Sequence, residues 1–303
     1  MKVILHKLKK VIKDPYYVVG KWMFQNHPKW MCDKWYLKVM WKLWMGSELD
    51  LKHPKSFNEK IQWLKLYDRR PEYTLLVDKY RVKEWVADKI GAEFIVPTLG
   101  IWNSVDEIDI DALPNRFVLK CNHDSRSVIL CRDKSTFDLD AAKMKLEEAL
   151  AVNFYWQARE WPYKHVRPVV FAEQYLEDTE DDALTDYKWF CFNGEPKIMY
   201  ISRDRGKNPR TNFFDMDFKP LPIRMLDPNS NEVIPKPAAF EKMKELAEIL
   251  SKHFLHIRVD FYMVGGRVYF GELTFYHSAG FSPIEPDEWK MKLGSWIKLP
   301  IDN

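Results

Sequence analysis

"RVDFYMVGGRVYFGELTF", residues 258–275, is two β-rich runs around a Gly-Gly pair. Valine, phenylalanine and tyrosine on both sides of such a pair predict a hairpin. Arg258, Asp260 and Glu272 interrupt runs that are otherwise apolar and aromatic. A sheet that only needs burial has no use for them. Side chains alternate along a strand, so Arg258 and Asp260 share one face, and so do Glu272 and Thr274. Whether the two faces coincide depends on the turn. A two-residue Gly265-Gly266 turn pairs Val264 with Arg267 and points Glu272 away from Asp260. A three-residue turn, Gly265-Gly266-Arg267, sets Asp260 opposite Glu272. We expect the second, because three-residue hairpins with a left-handed glycine are common. Facing carboxylates repel unless a proton or a cation lies between them. Hard oxygen ligands of this kind suit Mg²⁺ together with phosphate oxygens. The plainer reading, solvated charges on an edge strand, fits poorly with such apolar neighbours.

The rest of the chain bounds what this hairpin can serve. Its 303 residues suggest two domains or one large one, and 46% hydrophobic content supports a sizeable core. A net charge of +3 implies no nucleic-acid partner. Cys32, Cys121, Cys131 and Cys191 lack metal-ligand spacing and read as reduced thiols of a cytoplasmic protein. No apolar run approaches the ~18 residues of a transmembrane helix. The opening "MKVILHKLKKVIKD" is basic but lacks the apolar core and cleavage site of a signal peptide. Residues 1–45 carry many lysines, Asp14 and Asp33 as the acids, and Trp22, Trp30, Trp35, Trp41 and Trp44. In "DKWYLKVMWKLWMG" the aromatics follow helical spacing, as in a helical layer packed on the body. The same lysines and tryptophans also suit an anionic surface at the inner face of the membrane.

Along the chain, Ser56 and Glu59 in "SFNEKIQWLKL" form a capping box that starts a helix. "DKYRVKEWVADKIG" places Val82, Trp85, Val86 and Ile90 on one helical face and ends at Gly91. "EFIVP", "RFVLK" and "SVILC" read as short strands, with a helix at about 138–151 and a strand in "RPVVFAEQYL". "YKWFCFNGEPKIMYISR" predicts a hairpin turning at Asn193-Gly194, and residues 237–253 a helix. Short strands mixed with a few helices indicate an α+β fold.

Three further stretches carry polar chemistry. Lys120 ends the apolar run "FVLK", where an ammonium must be paired or meet an anion. After it, Asn122, His123, Ser125 and Ser127 form a short loop of donors between strands, a glycine-free arrangement able to hold phosphate. Glu173 follows an apolar strand, placed either to accept from an adenine amine or as a surface acid. "SRDRGKNPR" gathers Arg203, Arg205, Lys207 and Arg210, a landing strip for an anion or a solvated loop. Asp109/Asp111, Asp138/Asp140 and Asp215/Asp217 are Asp-x-Asp pairs of the sort that bind a metal-nucleotide sugar. They leave open a glycosyltransferase, and a non-catalytic nucleotide-binding homologue is a further alternative.

"DKYRVKEWV", "FVLKCNH", "FAEQYLED", "DYKWFCFNGEP" and "RVDFYMVGGRVYFGELTFYHSAG" occur in one order that resembles the ATP-grasp superfamily. Together with "HPKSFNEKIQWLKLYDRRPEYTLLVDKY" they are similar to the TupA-like group, named for teichuronopeptide biosynthesis and found among capsule and surface-polysaccharide genes. The resemblance covers roughly residues 45–300. It implies two α+β subdomains gripping ATP, divided as a helical segment 1–46, a first part 47–170 and a second part 171–303. It implies that Lys79 and Lys120 reach ATP phosphates, and that Glu173, Gln174 and Leu176 line the adenine. Asp186 or Lys188 would lie near the ribose or triphosphate. Asp260 and Glu272 would hold Mg²⁺, and Arg258 would stabilise the transferring phosphoryl group. Lys188 and Arg210 join Arg258 as candidate catalytic residues. Two departures from the family pattern stand out. Asp124 and Arg126 stand in a loop where members often have glycines, so that either the flexible lid over the phosphates is lost or Arg126 supplies a side-chain grip instead. Thr274 stands where many members have asparagine. The implied activity is a carboxylate–amine ligase that uses ATP and Mg²⁺ to join a uronic-acid-type glycan carboxylate to an amino acid or amino alcohol.

Overall fold

The computed structural model describes residues 15–177, 184–203 and 209–301. It opens with a helical layer, α1 (Pro15–Asn26), α2 (Asp33–Met45) and α3 (Phe57–Tyr67). Gly46 stops α2 in the left-handed conformation, φ 72°, and its N–H returns to the Lys42 carbonyl. The capping box of α3 is formed: the Ser56 hydroxyl accepts from the Glu59 N–H, and the Glu59 carboxylate accepts from the Ser56 N–H at 2.8 Å. Then come α4 (Glu72–Leu76) and α5 (Val82–Ile90).

"EFIVP" is not a strand. Ala92–Phe94 is a 3₁₀ turn, and Phe94 and Ile95 are drawn onto the larger core, so ladder pairing starts only at Thr98. From there β1 (Thr98–Trp102), β2 (Phe117–Cys121), β3 (Ile129–Cys131) and β4 (Val170–Gln174) form an antiparallel sheet in the order β1-β4-β2-β3. Between β3 and β4 run α6 (Leu139–Leu150) and the single turn α7 (Tyr155–Ala158). Phe117, Leu119 and Cys121 alternate inward and meet Leu146 of α6 in a small core. The division expected at 170/171 cuts through β4, which pairs with β1 and β2 as far as Gln174.

The second sheet holds β5 (Asp186–Phe192), β6 (Glu195–Arg203), β7 (Arg210–Phe214), β8 (Pro220–Leu221), β9 (His256–Val264) and β10 (Arg267–Thr274). It is antiparallel in the order β10-β9-β5-β6-β7-β8. The β5–β6 turn is Asn193-Gly194 as expected, with φ of 50° and 85°. Helix α8 (Phe240–Ser251) covers one face, with Phe240 against Trp189 at 4.9 Å between ring centroids. The other face looks toward α3, where Phe57 packs on Phe190, Phe192 and His256. Helix α9 (Asp287–Trp296) closes the chain against α3. Tyr36, Leu37, Met40 and Trp41 of α2 belong to the same large core as this sheet. The described part of the segment expected over 1–46 is therefore built into the body.

The hairpin reaches the expected pairing by another route. Its turn has two residues, Gly265 and Gly266 at φ 55° and 77°, and Val264 pairs with Arg267. A β-bulge between Phe270 and Glu272 then shifts the register, so that Glu272 stands opposite Asp260. Gly271 is the extra residue. A Cβ there would lie 3.1 Å from the Asp260 carbonyl oxygen, tighter than an ordinary contact.

Candidate active site

Register places Glu272, Asp260, Lys188 and Tyr200 side by side across β10, β9, β5 and β6. Alternation turns all four to the face opposite α8. Arg258, two residues before Asp260, shares that face. Its Nε donates to Asp260 Oδ1 at 2.7 Å, and its Nη2 donates to Asp260 Oδ2 at 2.7 Å, Glu272 Oε1 at 3.0 Å and Thr274 Oγ1 at 3.0 Å. The cation that allows the two carboxylates to face each other is thus supplied by the hairpin itself. Lys188 also pairs with Asp260, and lies 3.2 Å from Asp186 Oδ1. Burial alone would lower the Lys188 ammonium, but Asp260 and Asp186 outweigh it and raise it. Burial alone would raise the Glu272 carboxyl, but Lys79, Lys188 and Arg258 hold it far below the usual range. Glu272 is the more open acid, its side chain 29% exposed against 2% for Asp260.

A second cluster sits on the four-stranded sheet. Glu173 on β4 receives Lys83 at 2.6 Å and Lys120 at 2.5 Å. Both ammonium groups also lie over the Phe171 ring, at 5.4 and 5.3 Å from its centroid. Burial would raise the Glu173 carboxyl, and the two lysines override it and lower it. Lys83 was not singled out in the sequence. The available signal was its place one turn beyond Lys79 at the start of α5. Lys79, whose backbone N–H donates to the Asn122 carbonyl at 2.9 Å just beyond Lys120, sends its side chain the other way, to Glu272 Oε2 at 3.3 Å, and so bridges the two sheets.

The loop after Lys120 spends most of its donors on itself. Asn122 donates to Asp78 Oδ2 at 2.7 Å and to the Arg167 carbonyl, and its own side-chain oxygen accepts from the Val169 N–H. His123 is held between the Ala149 and Val152 carbonyls, and Ser127 accepts from the Cys121 N–H. Ser125 and Arg126 are exposed at its tip. Gln174 is exposed at the end of β4, and Leu176 is half-buried just beyond it. Arg210 is not brought to the cluster. It pairs with Arg203 one step beyond the Ser202–Thr211 pair, so it faces the α8 side of the sheet with Asn212. Arg205 and Lys207 lie outside the described residues. Each Asp-x-Asp pair has a local task. Asp109 accepts from the Asp111 N–H, Asp138 from the Ala141 N–H at the start of α6, and Asp215 from the Asp217 N–H.

Sequence reasoning also missed the turn after β10. Ser278, Ala279 and Gly280 take consecutive positive φ values of 48°, 52° and 69°. Two of these are strained for residues with a Cβ. Three buried side chains one turn apart on α3 grip its carbonyls. Asn58 donates to Gly280, Gln62 to Ala279 and Gly280, and Lys65 to Ala279 at 2.6 Å. Burial lowers the Lys65 ammonium and raises the nearby Glu160 carboxyl. His277 enters the same network, 2.8 Å from Arg258 Nη1 through Nδ1. A guanidinium only donates, so Nδ1 accepts and Nε2 carries the proton toward Ser278 Oγ at 3.3 Å.

This arrangement stands beside the following similarities. The model of the TupA-like ATP-grasp family matches residues 59–298. No curated protein matches the chain. Among solved structures, the D-alanine–D-alanine ligase from Bacillus anthracis complexed with ATP is 16% identical, with 66% of this chain and 54% of that one covered at a TM-score of 0.39. The L-amino acid ligase from Bacillus licheniformis is 11% identical, with 77% and 51% covered at 0.44. The N5-carboxyaminoimidazole synthetase from Staphylococcus aureus complexed with ADP is 14% identical, with 75% and 53% covered at 0.38. The chain spans little more than half the length of these proteins.

Proposed function

The chain belongs to the TupA-like ATP-grasp family, and from that premise we propose that it is an ATP-dependent ligase joining a carboxylate to an amine. The observation that carries the reading is the row Glu272–Asp260–Lys188, threaded by Arg258 and joined through Lys79 to the Lys83–Glu173–Lys120 cluster. A nucleotide polyphosphate needs cations on one side and metal-holding oxygens on the other. In this reading Lys120, Lys83 and Lys79 would meet the phosphates. Glu173, Gln174 and Leu176 would line the adenine, with Asp186 or Lys188 near the ribose or triphosphate. Asp260, Glu272 and the Thr274 hydroxyl are a hard-oxygen set clustered around one guanidinium nitrogen, chemistry that fits Mg²⁺. Bound there, Mg²⁺ would supply charge neutralisation on the phosphates.

In this reading Arg258 and Lys188 stabilise the phosphoryl group as it passes from ATP to the substrate carboxylate. The carboxylate oxygen forms a bond to the γ-phosphorus as the bond to the ADP oxygen breaks. The amine then attacks the acyl carbon, forming the amide and releasing phosphate. The site's task is to orient these groups and meet their charge. The family's namesake points to a uronic-acid-type carboxylate on a surface polysaccharide as acceptor, an amino acid or amino alcohol as amine, and the cytoplasm as the place of reaction.

Hydroxylamine trapping is the test. Purified protein with ATP, Mg²⁺ and a panel of uronic-acid acceptors should release ADP only when a carboxylate is present, and should yield a hydroxamate. UDP release from a nucleotide sugar with no ATP turnover would replace the ligase with a glycosyltransferase.

A further inference from the structure

The tryptophans of the helical layer part into two sets. Trp41 is buried, and Trp44 lies against Phe24 and Phe281 at 5.4 and 5.0 Å between ring centroids. Trp22, Trp30 and Trp35 instead face outward, 59%, 82% and 66% exposed, with Tyr16 and Val19 also open on α1. Single exposed apolar residues are ordinary, but three outward tryptophans within fourteen positions are not.

The charge around them is mainly positive, with Glu48 paired to Lys42 at 3.0 Å. Lys34, Lys38 and Lys42 repeat every fourth residue along α2, beside Trp35, and Lys21 and Lys29 are exposed nearby in sequence. Asp33 is turned inward, accepting from Arg69 at 2.6 Å and from the Tyr155 hydroxyl at 2.5 Å. Residues 1–45 hold ten of the chain's 47 Lys+Arg and two of its 44 Asp+Glu, so everything after them is net acidic. A generally solvated face would mix both signs and carry few aromatics. Lysines with interfacial tryptophan and tyrosine match the headgroup layer of an anionic bilayer, where each lysine near the surface contributes about 1 kcal/mol. No described helix is long and apolar enough to cross a membrane, so the contact is one of a face lying on the surface.

We propose that the outer surface of α1, α2 and the turn between them, carrying Trp22, Trp30 and Trp35, docks the protein on an anionic phospholipid surface. The layer is tied to the catalytic face through Trp44 and Phe281, the residue that follows the Ser278–Gly280 turn. Docking therefore fixes the orientation of the site relative to the bilayer.

Sedimentation of the full chain with vesicles tests this without recourse to activity. Vesicles of phosphatidylcholine with about one third phosphatidylglycerol should bind it at low salt, with a blue shift of tryptophan emission, and raised salt should release it. Vesicles of phosphatidylcholine alone should bind at least tenfold more weakly. The triple variant Trp22→Ser/Trp30→Ser/Trp35→Ser should lose at least tenfold in vesicle binding with its thermal midpoint and far-ultraviolet spectrum retained. Lys34→Gln/Lys38→Gln, a second folded-state probe, should weaken binding and flatten its salt dependence. Failure to bind the anionic vesicles, equal binding to both kinds, or undiminished binding by both variants would overturn the proposal. Binding to soluble polyglutamate but not to the anionic vesicles would overturn it in favour of an acidic macromolecule.

Discussion

The two charged clusters are built with opposite surpluses. On the four-stranded sheet, two lysines converge on the single acid Glu173. On the six-stranded sheet, Asp186, Asp260 and Glu272 surround Lys188 and Arg258. Lys79 spans the difference by reaching Glu272. Burial differs as well. The Asp260–Arg258 pair is almost sealed, whereas Lys120 keeps 17% of its side chain exposed. One sheet thus offers a surplus of positive charge, and the other a buried seat of negative charge. The division suits a ligand that brings anions to one side and metal cations to the other.

The sharpest way to break this comparison is Glu272→Gln, which removes one carboxylate charge from the six-stranded sheet and keeps the shape. Hydroxamate formation should fall by a few orders of magnitude, about 3–5 kcal/mol. If Lys120→Ala cost the chemistry more, the roles of the sheets would be reversed. Next in size is Arg258→Met, which strips Asp260 of its bidentate partner inside the fold. Removing one member of a buried pair costs about 3–5 kcal/mol, so urea unfolding should show a loss of that order. Lys120→Ala should leave unfolding nearly unchanged, because Lys83 at 2.6 Å remains to neutralise Glu173.

A smaller effect separates the sheets by pH. His256 sits among Phe57, Phe190 and Phe192 with Nδ1 on the Cys191 carbonyl at 2.9 Å. Burial pushes its pKa down to about 3. The unfolded chain takes up that proton near pH 6.5 and the folded chain does not. The stability it confers is complete above pH 6.5 and is lost as pH falls toward 3. Between pH 7.5 and 5 the loss from this residue is about 2 kcal/mol. His256→Phe should remove that part of the acid sensitivity, and parallel urea titrations at the two pH values would check it. The smallest effect concerns Glu173. Because Lys83 and Lys120 share it, either single alanine variant should weaken binding of a non-hydrolysable ATP analogue by roughly tenfold. The double variant should depart from additivity by about 1 kcal/mol. Strict additivity in calorimetric titration would mean the two lysines act independently.

What the sequence made legible was what a few neighbouring residues decide. The Ser56–Glu59 box, the Asn193-Gly194 turn and the β-runs around Gly265-Gly266 each depend on local chemistry. "EFIVP" misled because its apolar residues serve the core rather than a ladder, and composition alone does not separate those uses. Arg210 looked like a neighbour of the site by sequence, yet strand parity sends it to the other face. Lys83 and the Asn58–Gln62–Lys65 set were hidden for a different reason. Their partners, Glu173 and the Ala279–Gly280 carbonyls, lie far along the chain, and only tertiary packing brings them together.

The bulge at Gly271 shows why the right pairing of Asp260 with Glu272 could be reached from the wrong turn. One residue added to the turn and one residue looped out of β10 shift the count along the ladder equally. The spacing between the two acids is therefore blind to which is used. What the hairpin preserves is a parity. Draw Arg267 into the turn without removing the bulge, and Glu272 changes sides while the order of residues stays the same. Relatives of this chain should accordingly vary turn length and bulge together, trading one against the other, and an alignment that gaps the turn alone would misplace the acid.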